Sequence, residues 1–324
     1  MKALSAFAFA VLVGVASAET PKDTFHFAET KGEFVDVMRG DRKVLRFVNK
    51  SRDGATKESH YLSFKPFHQV FDPKTGEMLL SSGAHPNVKE YLFPHHRGLF
   101  FGFNKITYGE KKTADIWHGT NNVYSSFDKM IATKADDKQA SHTAAISWHG
   151  ADGETFAEEE REVTVRTIGD GTEIDWSTVL RTKLPKVRLD GDPQHAGFHF
   201  RATQEVSKST AKQTYYLRPD GKGKEGETRN WEPKNKDAKT IGLPWNAMSF
   251  VTGGKRYTSL RINHPSNPKE TRGSERDYGR FGDYFEFDLT PTTPLKLKYR
   301  VWVQEGEMTV EQCEAKAAAF VKAD

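Results

Sequence analysis

Apolar and polar residues alternate with period two through most of this chain, the pattern of strands with one buried face. Glu162-Val163-Thr164-Val165-Arg166-Thr167 alternates without a break, Gly169-Asp170-Gly171 supplies turn chemistry, and the alternation resumes from Thr172 to Arg181. A hairpin is predicted there, because glycine accepts the positive φ of a tight turn. Leu295, Leu297, Tyr299, Val301 and Val303 fall on one face, with Lys296, Lys298 and Arg300 on the other. Further strands are predicted over 34–39, 43–48, 144–149, 256–263 and 284–289. One helix is predicted, at the C-terminus: Thr309-Val310-Glu311-Gln312 has capping-box spacing, and an Ala-rich run continues to Ala323. The expected fold is all-β, a large antiparallel β-sandwich with a short C-terminal helix. Residues 217–243 carry Gly221, Gly223, Gly226 and a dense mixture of charges. That segment is too long for an idle connection, and a lid, binding loop or mobile insertion is expected.

Composition supports a packed core: 22 Phe, 10 Tyr and 6 Trp in 324 residues provide ample buried area. Forty-eight basic against 44 acidic residues leave a formal charge of +4, without the basic stripe of a nucleic-acid binder, and none is expected as a partner. Lys2, an apolar run over 6–15 and Ala16-Ser17-Ala18 read as a signal peptide spanning 1–18. Export to the periplasm or beyond is expected, with a single domain over 19–324. The run is too short for a permanent span, and stable membrane insertion is not expected. Cys313 is alone, so no intrachain disulfide can form, and its place in the helix predicts burial. Nothing in the sequence marks an oligomeric state.

Chemistry-bearing residues gather in three places. In Phe93-Pro94-His95-His96-Arg97-Gly98, an extended chain would put His95 and Arg97 on one face and His96 on the other. Shortly after, in Asp115-Ile116-Trp117-His118, it would pair Asp115 with Trp117 and turn His118 away. In the second region His195, Gly197, His199 and Arg201 would share one side of a strand. Gly197 would remove bulk so that a ligand could approach the backbone. Two imidazoles and an arginine suit an anionic or polyhydroxylated ligand, with proton transfer at the histidines. The third region combines Asn263-His264-Pro265 with Glu275-Arg276-Asp277-Tyr278-Gly279. Tyr278 is a candidate acid there, and Glu275 and Asp277 are candidate bases, orienting groups or surface partners of Arg276 and Arg280. Glu158-Glu159-Glu160 reads as the solvated start of a strand. No Gly-rich phosphate loop is present. No cofactor is expected; the alternative is a divalent metal on converging histidines, although no HExxH, paired CxxC or facial-triad spacing announces one.

The segments HHRGLFFGFN, ADIWHG, LDGDPQHAGFHFRA, LPWNAMSFV, NHPSNPKE and ERDYGRFGDYFEFDL together resemble the PmoA-like family of exported proteins, over residues 60–311. The name borrows from methane oxygenase, an activity not expected of a sequence without membrane spans. The resemblance implies a galactose-mutarotase-like supersandwich, in which a ligand lies across a concave sheet face. It assigns no catalytic residue. The reading of the residues themselves places proton transfer on His96, His195, His199 and Tyr278. It places ligand contacts on His95, Arg97, Asp115, Trp117, His118, Arg201, Trp245 and Arg276. The function expected is acid–base chemistry of lyase, dehydratase or epimerase type on a sugar or uronic-acid oligosaccharide. The alternatives are non-catalytic sugar binding and a His-ligated metal-dependent hydrolase or oxygenase.

Overall fold

The structure is a computed structural model describing residues 23–85, 90–234 and 238–323. The signal peptide expected at 1–18 lies outside the described residues. The period-two segments form strands as predicted. Thr155–Ile168 and Gly171–Arg181 make the expected hairpin, and Leu295–Glu305 pairs beside it. Among the described residues there are two nine-stranded antiparallel sheets and a small four-stranded one. The predicted strand over 284–289 is broken into Arg280–Tyr284 and Phe287–Leu289, which belong to different sheets.

The two large sheets face each other. Gly98–Phe103, Ala196–Arg201 and Arg280–Tyr284 are consecutive strands at the middle of the first sheet. Their alternation divides two environments. Leu99, Phe101, Phe198, Phe200 and Phe281 point into the core, where Phe198 stacks on Tyr299 of the second sheet, ring centroids 4.5 Å apart. Phe100, His199, Arg201 and Arg280 occupy the alternate positions and face the opposite way, where Phe100 joins Phe67 and Trp117 in a small separate cluster. That second face carries the candidate site.

Buried ion pairs tie the sheets together. Arg261 donates to Asp283 at 2.7 Å, and Arg218 donates to Glu275, each partner almost fully shielded from water. Glu275 is therefore committed to Arg218 rather than to catalysis or to a surface pair with Arg276 or Arg280. Glu159 departs from expectation likewise: it points inward and accepts from Arg161 and the Trp148 indole.

The described part of 217–243 is stitched into sheet edges instead of standing free as a lid. Tyr215–Arg218 and Gly221–Lys222 extend the second sheet, and Arg229–Asn230 closes an edge of the first. The C-terminal helix Val310–Lys322 begins with the predicted capping box at Thr309 and Gln312. Cys313 lies on the buried side of this helix, where burial pushes the thiol pKa up to about 12. A second helix, Lys57–Ser63, was not predicted; it has its own capping box, built by Thr56 and Ser59.

A three-histidine candidate site

Neither of the first two histidine regions is extended where it matters. Residues 92–97 run through a turn before the strand at Gly98, and 115–119 form another turn. His95 and His96 therefore do not point to opposite faces; their rings meet edge to face with centroids 4.1 Å apart. In the second turn Asp115 bonds His118 instead of sharing a face with Trp117. Its carboxylate accepts from the His118 backbone N–H and from the ring Nδ1, both at 2.8 Å. His195 lies in a third turn, just before its strand, and repeats the arrangement: its Nδ1 donates to Asp192 at 2.9 Å. The pairs share the spacing Asp-x-x-His, as Asp115–His118 and Asp192–His195. Burial opposes the Asp192 charge, but hydrogen bonds from His195 and Asn104 and the nearby imidazole hold its pKa down to about 2.

These turns converge. His118 and His195 ring centroids are 4.9 Å apart, and His95 lies 4.5 Å from His118 and 5.9 Å from His195. One ring nitrogen from each of the three lies within 4.8 Å of the others. Since Nδ1 of His118 and of His195 is taken by aspartate, the ring nitrogens left free on these two are Nε2. His95 Nε2 is buried and has no hydrogen-bond partner. Desolvation, followed by the His118, Lys65, His195 and Arg280 charges, depresses the His95 pKa far below the usual imidazole value, so this ring is neutral.

The remaining predicted residues separate into supports and bystanders. His96 is buried behind His95, its ring nearly parallel to Tyr278 at 6.2 Å, with both nitrogens unpartnered. His199 is fully buried and uses both nitrogens: Nε2 bonds the Ala196 carbonyl at 2.9 Å, and Nδ1 accepts from Arg280 at 3.1 Å. It is a prop for Arg280 and not a proton carrier. Gly282 opens the space its ring occupies. Arg201 donates to the Tyr278 carbonyl and to Ser207, and Arg97 to the carbonyls of Pro94 and Tyr61. Both arginines are fully shielded, so they brace loops and do not clamp an incoming carboxylate. Trp117 is completely covered and offers no stacking face to a sugar. Its carbonyl accepts from Lys65, whose own pKa burial lowers well below the usual amine value. Trp245 belongs to the cluster beneath the C-terminal helix, away from the site. Arg276 sits over the Tyr278 ring, 5.4 Å from its centroid, and Tyr278 in turn stacks on Phe93 at 4.1 Å.

A cleft of about 480 Å³ opens beside this group, with Thr56, Lys57, Tyr61, His118, Asn121 and Asn122 among its walls. Helix Lys57–Ser63 supplies one wall. His60 holds it to the opposite one by bonding the Gly119 carbonyl at 2.6 Å. Asn121 and Asn122 sit at positive φ, which asparagine tolerates better than most residues. Tyr61, Lys65 and Asp192 were not singled out from sequence, and Arg280, expected as a surface partner of Glu275 or Asp277, is instead fully buried. The repeated Asp-x-x-H spacing was the legible signal for Asp192; Tyr61 and Lys65 carry none.

Among solved structures, the fold is similar to an α-galactosidase from Lactobacillus brevis (TM-score 0.44, 8% identity, 92% of this chain and 40% of that one). It is also similar to a galactose mutarotase-like protein from Clostridium acetobutylicum (TM-score 0.43, 9% identity, 88% and 100%). A third is the α-galactosidase AgaA from Geobacillus stearothermophilus, a variant solved with raffinose (TM-score 0.38, 10% identity, 89% and 40%). The chain thus spans 40% of the length of either galactosidase. No curated protein matches it in sequence. The PmoA-like name finds no support in these matches. Residues 34–318 match the family described as "Family of unknown function (DUF6807)", and the chain belongs to that family.

Proposed function

We propose that this protein is carbohydrate-active, with a sugar-class ligand in the cleft and its reacting atoms at the three histidines. The observation that carries the reading is the double role of His118, at once part of the cleft wall and a member of the histidine group. Hydroxyl, amide, ammonium and imidazole groups around one small-ligand-sized space match a polyhydroxylated molecule better than an apolar one. Tyr61 adds a ring on which a sugar can rest. Burial pushes its phenol up to about 12, so it stays protonated and donates at neutral pH. Lyase, dehydratase and epimerase reactions on sugars share one need: an electrophile that withdraws charge from a substrate oxygen while a proton moves nearby. The free ring nitrogens of the histidine group are where such an electrophile, a proton or a metal ion, would sit.

The test is calorimetric titration with neutral and uronic-acid oligosaccharides, raffinose included, on the wild-type chain and on Tyr61→Ala and Asn122→Ala. At least one sugar should bind, at least ~10-fold more weakly to the variants, since losing a stacking or hydrogen-bonding partner costs about 1.4 kcal/mol or more. A panel without binding, or binding that neither substitution changes, overturns the reading.

A further inference from the structure

We infer that His95, His118 and His195 form a divalent-metal site, with zinc as its best-suited ion. The inference rests on the preceding reading only for where the ligand lies; the metal site itself stands on geometry. Three histidine nitrogens from three separate turns lie within 4.8 Å of one another. Two of the rings are held by carboxylates on Nδ1, which leaves Nε2 of each for an ion. This is how proteins prepare imidazole ligands: a carboxylate accepting from Nδ1–H fixes the tautomer, orients the ring and leaves Nε2 as a bare lone pair. The third ring has the matching property by another route. His95 Nε2 is buried without a partner, a state that costs free energy unless something else satisfies the atom. A cation bound there would do so.

The donor set selects the ion. Three neutral imidazoles suit zinc and other late first-row dications, and not calcium or magnesium, which require oxygen ligands. Bonds of ~2.1 Å in a tetrahedral site separate ligand nitrogens by ~3.4 Å, so the rings close by roughly 1 Å or a little more as the ion enters. The side chains of His118 and His195 are about one quarter exposed and have room for that movement. Asp115 and Asp192 behind the ligands offset the dication, against the opposing charge of Arg280 near His95; the Lys65 amine, also near His95, is pushed by burial towards its neutral form. Three protein ligands leave a fourth position open, and His118 places it beside the cleft. That is the arrangement of a catalytic zinc rather than a closed structural one. A sugar hydroxyl, carbonyl or carboxylate, or a water molecule, would complete the sphere and be polarised by the ion.

Chelator-stripped protein is dialysed against zinc and its content measured by elemental analysis, with affinity from competition against a chromogenic chelator. One equivalent is expected in the wild type and in the control His149→Ala. The ion should be lost in His118→Ala and bind 10- to 100-fold more weakly in Asp115→Asn and Asp192→Asn. Cobalt substitution of the unaltered chain reads the same site without a variant, and intense visible absorption of a four-coordinate ion is expected. Zinc no tighter than for a protein lacking such a site, retention of the full equivalent in His118→Ala, or only the weak spectrum of hydrated cobalt overturns the inference. Zinc binding without any sugar binding would sink the carbohydrate reading and leave the metal site intact; sugar binding without zinc would do the reverse.

Discussion

Gly197 shows how much a single residue decides here. Its φ is +91°, and the space where a side chain would stand is filled by the carbonyl of Asp283 on the neighbouring strand. The glycine therefore serves a close approach between two backbones, and not the approach of a ligand that its place between His195 and His199 implied. Gly197→Ala is expected to destabilise the fold by at least ~2 kcal/mol, the sum of a left-handed backbone penalty and an enforced strand displacement. Urea unfolding checks this: a midpoint equal to wild type would show that the strands separate without cost. The same lesson applies to the polar residues of the second face. His199, Arg97 and Arg201 were read correctly as unusual, because polar groups without purpose are rarely buried. The two arginines hold loops, and His199 holds Arg280. Sequence alternation reports which side of a strand a residue occupies, but not whether its hydrogen bonds are already spent.

At the scale of elements, the long strands were legible and the turns that carry chemistry were not. Alternation over ten or more residues, as in Thr155–Ile168 and Leu295–Glu305, leaves little freedom of assignment, since a one-residue slip would turn every side chain around. The capping box at Thr309 was equally readable, because a cap is a local event. By contrast, His95, His118 and His195 each lie in a turn immediately beside a strand or another turn. An extended-chain reading of their neighbours paired the wrong residues, Asp115 with Trp117 rather than with His118. Helix Lys57–Ser63 escaped because seven residues carry too few apolar positions to show a 3.6-residue period. The convergence of three turns on one point depends on strand order. Ala196–Arg201 lies beside Gly98–Phe103 although almost a hundred residues separate them, and no local pattern encodes that.

For the whole molecule, the burial of several neutral histidines makes stability depend on acidity. His68 and His142 stack on Phe47 and bond each other through Nε2 atoms 3.0 Å apart. Desolvation, then the charge of Arg161, lowers His142 to about 3; desolvation, then His142 and Arg161, lowers His68 well below its usual value. Below pH 6.5 the unfolded chain takes up protons that the folded pair refuses, so stability is full above that pH and falls as pH drops towards 3. At pH 5 one such histidine costs about 2 kcal/mol. Urea unfolding at pH 7.5 and pH 5.0 should show the loss, and the double variant His68→Phe, His142→Phe should show a smaller one. An equal loss in both proteins would remove the pair from the account.

Three turns on the second face of the first sheet build one histidine centre beside the cleft. Long-range proton–nitrogen NMR of the imidazoles in the uniformly ¹⁵N-labelled chain tests it most directly. The neutral form of His118 and of His195 should carry its proton on Nδ1. One equivalent of zinc should then move the signals of His95, His118 and His195 together while those of His149 stay in place. Rings protonated on Nε2 at His118 and His195, or zinc shifts as large at His149 as at these three, would contradict it.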